Sequence, residues 1–577
     1  MVDHTQAGGA VLDAEPMAPE GGVSIVRGPV EPALMRKTIP QLLRDAVDAF
    51  GAREAAVFCE QGIRVSYAQF AAEVDALAAG LLAIGLTKGE RVGIWSPNRY
   101  EWLLTQFATA RVGLILVNIN PAYRLGELEY ALNKVGCAAL ITARAFKTSD
   151  YTGMMRELAP ELESCEPGQL RAAKLPQLRS VVVTDPEPDA GMSSFDQVRA
   201  LGQAVHRAEL DRIEATLSPD DPINIQFTSG TTGMPKGATL SHYNIVNNGR
   251  LVTDLIHLTK DEALAIPVPL YHCFGMVMGV LGAVSKGAKM VFPGEGFDAA
   301  QTLDALEAER CAALYGVPTM FVAMLEDLER KPRDLSSMRT GIMAGATCPV
   351  EVMQRVNSEM NMPEVTICYG MTETSPVSFQ SFVDDPTDKR CETVGRVHPH
   401  LEVKIIDGAG NTVAVGEQGE LCTRGYSVMT GYWDDTEKTA ESIVDGWMHT
   451  GDLAVFDEQG FCSIVGRVKD MIIRGGENIY PREVEEYLIR HPKVSDVQVF
   501  GIPDDKFGEQ VCAWVIAKPG EDLSADELRA FTKGQIAHFK VPKHIRLVDE
   551  LPMTITGKPQ KFVMRDKMVE MLQQEAG

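Results

Sequence analysis

Residues 228–237 read Thr228-Ser229-Gly230-Thr231-Thr232-Gly233-Met234-Pro235-Lys236-Gly237. Three glycines, four hydroxyl side chains and one lysine fall within these ten positions. Glycine permits tight turns and close backbone approach, so successive N–H groups can converge on an anion. The hydroxyls add donors, and Lys236 adds a mobile positive charge. The preceding Ile223-Asn224-Ile225-Gln226-Phe227 reads as a short strand, so the stretch looks like a strand-borne phosphate loop. It departs from the common nucleotide loop, Gly-x-x-x-x-Gly-Lys-Ser/Thr. Gly233 is followed by Met234-Pro235-Lys236, and Gly237 stands where the magnesium-binding hydroxyl belongs. Composition alone leaves a Gly/Thr-rich surface turn open.

A chain of 577 residues is too long for one ordinary core, so two or more domains are expected. Hydrophobic content of 45% argues for a globular protein. A formal net charge of −24 repels a phosphate backbone and gives no support for nucleic-acid binding. Residues 1–37 carry Asp3, Asp13, Glu15 and Glu20 without a basic start and apolar run, which reads as a flexible tail and not a secretory signal. The longest apolar stretch, 277–291, is broken by glycines, Ser285 and Lys286, so no membrane span is expected. Eleven cysteines without a Cys-x-x-Cys pair point to reduced, mostly buried thiols and a cytoplasmic protein. No cysteine or histidine spacing points to zinc.

Strand and helix signals alternate through the first two thirds. Helices are expected over 38–49, from Tyr67, and over 98–112, 124–135, 297–309 and 319–328, with Thr38 and Ser66 in capping positions. Strands are expected over 55–58, 63–66, 91–95, 114–118, 138–142, 179–184, 263–267 and 313–316. This is an α/β pattern of mostly parallel sheets covered by helices. Residues 143–178 are ambiguous, with a helical excursion as one reading. After about residue 401 shorter strands and turns take over, giving a β-rich subdomain. The last hundred residues read as a small α+β domain, with helices over 481–490 and 524–535, strands over 494–502 and 509–517, and a Lys-rich tail.

Four further stretches accompany the loop, in order. They are Tyr369-Gly370-Met371-Thr372-Glu373, Trp447-Met448-His449-Thr450-Gly451-Asp452, Gly466-Arg467-Val468-Lys469-Asp470 followed by Gly475-Gly476-Glu477-Asn478-Ile479, and Pro552-Met553-Thr554-Ile555-Thr556-Gly557-Lys558. Together with residues 228–237 they closely resemble the adenylate-forming superfamily of acyl-CoA synthetases, luciferases and peptide-synthetase adenylation domains. The resemblance runs from about residue 38 to 567. It implies a large N-terminal domain over 38–466, a hinge over 467–470 and a small mobile C-terminal domain over 471–577. It also implies the chemistry: a carboxylate attacks the α-phosphate of ATP, giving acyl-adenylate and pyrophosphate, and a thiol such as that of coenzyme A then displaces AMP.

The resemblance implies roles residue by residue. Thr228, Ser229, Gly230, Thr231, Thr232, Gly233 and Lys236 would hold the β- and γ-phosphates. Tyr369, next to Gly370, would pack on adenine, with Gly345, Ala346 and Thr347 as another wall. Thr372 would donate to the α-phosphate, and Glu373 would take Mg²⁺, a hard cation that wants oxygen ligands. Asp452 would accept from both ribose hydroxyls, and Arg467 would reach the ribose or phosphate. Lys558 would neutralise the charge that builds on the α-phosphoryl and carboxylate oxygens; Lys540, Lys543, Lys561 and Lys567 nearby show that a lysine alone is uninformative. Lys469 matches the hinge position. Gly475 and Gly476 would line the pantetheine channel. His272, in Pro269-Leu270-Tyr271-His272-Cys273-Phe274-Gly275, matches a residue beside the acyl carboxylate; its role would be positioning, since carboxylates need no deprotonation at neutral pH.

The acyl group is less closely defined. Residues 275–282 and 315–320 are apolar and contain no lysine, arginine or aspartate, so a second charge on the substrate would be buried unpaired. The resemblance is to medium- or long-chain fatty-acid CoA ligases, with aryl or short-chain acids and carrier-protein thiols as alternatives. A non-catalytic nucleotide-binding protein is a reading from a different class, and it is expected to have lost Lys558, Glu373 or Asp452; all three are present. Oligomeric state is open, a dimer included. If Gly475 lines a thin channel, bulky replacements there keep pyrophosphate release and lose CoA-ester formation. Assaying the half-reactions separately checks this, and equal loss of both contradicts it.

Overall fold

The computed structural model describes residues 18–228, 235–346, 348–474, 477–504, 506–533, 535–553 and 559–576. The described chain forms two compact units, one built from 27–402 and 423–448, the other from 18–26, 403–422 and 449–576.

The first unit contains two large α/β sheets. In the eight-stranded sheet, Ser193–Ser194, Ser180–Val183, Cys137–Thr142, Arg91–Trp95, Ile115–Asn118 and Pro222–Thr228 run parallel in that spatial order. Lys236–Ser241 and Gly431–Tyr432 then add antiparallel. Strands such as Ile115–Asn118 and Cys137–Thr142 are buried at every position, which follows from helices covering both faces. The nine-stranded sheet runs Arg396–Val397, Val377–Gln380, Glu364–Gly370, Thr340–Ala344, Ala313–Gly316, Ala263–Ala265, Lys289–Phe292, Glu54–Phe58 and Ile63–Ser66. Its six central strands are parallel, and both edges are antiparallel.

Local chemistry sets the helix starts. Thr38 and Ser66 form reciprocal capping boxes with Gln41 and Gln69, opening Ile39–Phe50 and Tyr67–Ala83. A third box, Ser241 with Asn244, opens His242–Leu255, a helix that the sequence reading did not assign. The ambiguous stretch contains the helix Tyr151–Leu158 and a 3₁₀ turn Pro160–Glu163, anchored by Tyr151 stacked on Trp95 at 3.8 Å. The apolar run near 277–291 becomes a π-helix Phe274–Leu281, a short helix Gly282–Lys286 and the strand Lys289–Phe292, all core elements. Among the described residues no helix is long and apolar enough to cross a membrane. The eleven cysteines are unpaired thiols, nine of them buried.

The second unit joins β-strands with the chain's C-terminal region. Ile25–Arg27, within the stretch expected as a flexible tail, is a strand beside Leu401–Ile406; Ser24 and Ile405 pair through backbone hydrogen bonding at 2.9 Å. Trp447–Phe456 and Cys462–Arg467 form a hairpin around the predicted turn at 457–460. The C-terminal sheet orders Glu477–Ile479, Ile472–Arg474, Gly508–Ala517 and Val494–Asp504, with His544–Leu547 parallel to Gly508–Ala517. The stretch read as a Lys-rich tail is a correction. It holds that last strand and the helix Lys561–Ala576, whose Met564 and Met568 bury against Phe500 and Trp514. Met564, Met568, Met571 and Leu572 keep the i, i+4, i+7, i+8 spacing of an apolar helix face, a signal hidden by the lysines.

One ion cluster ties three helices of the first unit together. Arg111, buried at the end of Tyr100–Arg111, contacts Asp75 at 2.8 Å, Asp211 at 2.6 Å and the buried Glu214 at 2.5 Å. Removing the guanidinium leaves the buried Glu214 carboxylate, among the described residues, only the largely exposed Arg44 as a charged partner. Arg111→Met is therefore expected to destabilise this unit by about 3 kcal/mol, read as a lower urea midpoint. Arg212→Ala, which breaks an exposed pair with Glu209, leaves the midpoint in place.

Candidate active site

Thr228 and Lys236 pair directly across antiparallel strands. The glycine-rich loop therefore spans a hairpin and is not followed by a helix, as in the common nucleotide loop. Ser229, Gly230, Thr231, Thr232 and Gly233 lie outside the described residues. The flanking side chains converge on one carboxylate. Glu373 Oε1 accepts from Thr228 Oγ1 at 3.1 Å and from the Tyr432 hydroxyl at 2.9 Å. Glu373 is 5% exposed, and among the described residues its Oε2 accepts no hydrogen bond. Lys236 Nζ stands 4.1 Å from the Tyr432 ring centroid, a cation–π contact. Burial, and then the Glu373 carboxylate, push the Tyr432 phenol far above its ordinary range, so it stays a proton donor. The sequence reading missed Tyr432. Only the pairing of Gly431–Tyr432 with Lys236–Ser241 brings it here, and no local pattern encodes that pairing.

The other candidates in this unit follow the C-terminal ends of parallel strands, where open α/β sheets bind ligands. Thr340–Ala344 and Glu364–Gly370 pair with Ala344 opposite Cys368, so Gly345 and Ala346 leave the same sheet edge as Tyr369 and Gly370. Gly345 takes a φ of +91°, which glycine tolerates. Thr347 lies outside the described residues. A Cβ on Gly370 would sit 1.7 Å from the Pro376 carbonyl oxygen, so no side chain fits there. Tyr369 is half-buried, with its ring 6.0 Å from Phe379. Thr372 is buried and opens the 3₁₀ turn Thr372–Thr374 that carries Glu373.

His272 is half-buried just before the π-helix, and its Nδ1 accepts from the Phe274 N–H at 3.2 Å. Its neighbours are tied to the two central strands by residues that carried no signal in the sequence. Asn118 donates to the Tyr271 carbonyl at 2.7 Å, and the Cys273 thiol donates to Gln226 Oε1 at 3.2 Å. Gln226 lies two residues before Thr228, so one strand serves both the loop and the histidine segment. Burial pushes the Cys273 thiol up to about 12, which keeps it a neutral donor and not a nucleophile. The π-helix that follows is buried throughout, and its Phe274 stacks on Tyr315 at 5.5 Å.

The second unit holds its own set. Asp452 and Arg467 are paired across the hairpin. The Asp452 carboxylate, 7% exposed, meets Arg467 Nε at 2.9 Å. Lys469 is exposed in the turn Val468–Asp470. Gly475, Gly476 and Lys558 lie outside the described residues.

The first unit can thus present hydroxyls, an ammonium and a metal-competent carboxylate to an anion, and the second unit, taken by itself, holds a buried carboxylate beside an arginine. The family model "AMP-binding enzyme" matches residues 43–433, and "AMP-binding enzyme C-terminal domain" matches 483–558. The chain is 46% identical to the mitochondrial medium-chain acyl-CoA ligase ACSF2 of Macaca fascicularis, over 95% of this chain and 90% of that one. It is 47% identical to the putative acyl-CoA synthetase YngI of Bacillus subtilis (strain 168), over 93% and 98%. Among solved structures, ATP-bound MatB from Rhodopseudomonas palustris superposes with a TM-score of 0.77 at 29% identity, covering 92% of this chain and 99% of that one. With the adenylate-forming fold and both family models in order along its sequence, this chain belongs to the AMP-binding enzyme family.

Proposed function

We propose that this protein is an ATP-dependent, AMP-forming acyl-CoA ligase whose acid is a medium-chain fatty acid. A carboxylate oxygen of the acid attacks the α-phosphorus of ATP, and the bond to the β-phosphate oxygen breaks, releasing pyrophosphate. The sulfur of coenzyme A then attacks the acyl carbon, and AMP leaves with the oxygen that came from the acid. A carboxylate is a poor acyl donor, and adenylation turns its oxygen into a good leaving group.

One observation carries the reading: a buried carboxylate, Glu373, hydrogen-bonded to Thr228 at the mouth of the glycine loop. Its Oε1 is held by two donors, which leaves Oε2 to ligate, and an oxygen donor of this kind fits Mg²⁺. When bound, Mg²⁺ supplies charge neutralisation on the phosphate oxygens. Thr228, Ser229, Gly230, Thr231, Thr232, Gly233 and Lys236 cradle the β- and γ-phosphates, and Thr372 donates to the α-phosphate. Tyr369 with Gly370, and Gly345, Ala346 and Thr347, hold adenine. Asp452 and Arg467 take the ribose. Lys558 supplies positive charge in the first step, His272 positions the acyl carboxylate, Lys469 is the pivot between half-reactions, and Gly475 and Gly476 line the pantetheine path.

The acid is read as apolar because the π-helix Phe274–Leu281 and the stretch from Tyr315 carry no charge. The medium-chain relatives support the length, and the eleven unpaired thiols support a reducing compartment such as the cytoplasm.

Pyrophosphate release is expected with straight-chain acids and to peak at medium length, with dicarboxylates inert. Release that no acid stimulates would favour the nucleotide-binding reading. Tyr432→Phe removes one donor to Glu373 and is expected to raise the Mg²⁺ concentration for half-maximal rate about tenfold, the scale of one hydrogen bond to a charged group. An unchanged Mg²⁺ profile contradicts the assignment of Glu373.

A further inference from the structure

Glu420 lies on the strand Gly419–Gly425, and both of its carboxylate oxygens are committed. Oε2 meets His449 Nδ1 at 3.0 Å, and Oε1 accepts from the backbone N–H of Gly451 at 3.1 Å. Gly451 has a φ of +70°, so the neighbouring strand leaves extended geometry at this residue. A carboxylate accepting from a backbone N–H makes a charge-assisted bond, which ties the kink to the neighbouring strand of Glu420. Thr450 adds two more ties: its hydroxyl donates to the Leu421 carbonyl at 2.8 Å and accepts from the Asp452 N–H at 3.1 Å. Residues 449–452 are thus held by the side chains of Glu420 and Thr450. The next carboxylate along the chain is that of Asp452, buried and 2.9 Å from Arg467 Nε.

Cys422 places a thiol within 4.8 Å of the Glu420 carboxylate and the His449 ring, a spacing a metal ion could span. Both Glu420 oxygens and His449 Nδ1 are already engaged, however, and burial holds the thiol up to about 12, in its neutral form. The cluster is a brace.

We propose that Glu420 is a positioning residue for the nucleotide. By clamping Gly451 and His449 it fixes the direction in which Asp452 presents its carboxylate, and so sets the preference for an intact ribose. The inference rests on the reading of Asp452 as the acceptor of the ribose hydroxyls. Glu420 touches no substrate and acts only through the backbone of 449–452.

The test compares Glu420→Ala, Glu420→Gln, Thr450→Val and Asp452→Ala in the full-length enzyme, with ATP, 2′-deoxy-ATP and 3′-deoxy-ATP as substrates. Glu420→Ala is expected to raise KM for ATP about tenfold and to cut the preference for ATP over the deoxy analogues about tenfold, with KM for acid and CoA within about twofold of wild type. Glu420→Gln, whose amide oxygen still accepts from Gly451, stays within about threefold of wild type. Thr450→Val shows the same split as Glu420→Ala and keeps the test decisive if the alanine variant fails to fold. Wild-type ribose preference in both Glu420→Ala and Thr450→Val, or an equal rise in every KM, overturns the proposal. Asp452→Ala separates the two claims. If it retains the ribose preference, the reading of Asp452 fails; if it loses the preference while Glu420→Ala and Thr450→Val keep it, only the positioning role fails.

Discussion

The structure of the first unit turns on a buried carboxylate whose oxygens need hydrogen-bond donors. Glu373 is almost wholly removed from water, and a buried polar group left without partners is costly. Two hydroxyl donors, Thr228 and Tyr432, hold Oε1. They come from the two sides of the glycine loop's hairpin: Thr228 ends one strand, and Tyr432 belongs to the strand paired with the other. Meeting the needs of one side chain therefore fixes the 3₁₀ turn at the edge of the nine-stranded sheet against the hairpin of the eight-stranded sheet. The proposed nucleotide contacts in this unit inherit that registration.

The same strand reaches the proposed acyl region. Gln226 receives the Cys273 thiol, and Asn118 from the neighbouring strand holds the Tyr271 carbonyl. His272 stands between these two anchored residues. Amide side chains suit this work because each offers a donor and an acceptor in one plane, and buried amides fully used in this way specify one arrangement. The strand that ends at Thr228 and the segment that carries His272 are thus built as one piece, which suits the proposed reaction, in which the acid attacks the phosphate directly.

Much of this was legible where the physics is local. Thr38 and Ser66 announce helices because a hydroxyl at the cap satisfies a free backbone N–H of the first turn, and both boxes form. The alternation of elements gave the parallel sheets because βαβ connections leave a period in the sequence. Pairing across long stretches of chain was not legible. Thr228 and Glu373 are 145 positions apart, and Tyr432 and Glu373 are 59 apart, so the carboxylate's partners follow from sheet order alone. The helix Lys561–Ala576 was passed over because its lysines outweighed a correct apolar period. Ile25–Arg27 was read as tail because three residues are too few to show alternation.

The central claim is that the acid's own oxygen attacks the α-phosphate while this constellation holds the triphosphate. Running the complete reaction with a medium-chain acid labelled with oxygen-18 in its carboxyl group, and weighing the nucleotide product, tests it most directly. The account predicts AMP carrying one labelled oxygen per turnover and unlabelled pyrophosphate. Unlabelled AMP, or ADP as the nucleotide product, would contradict it.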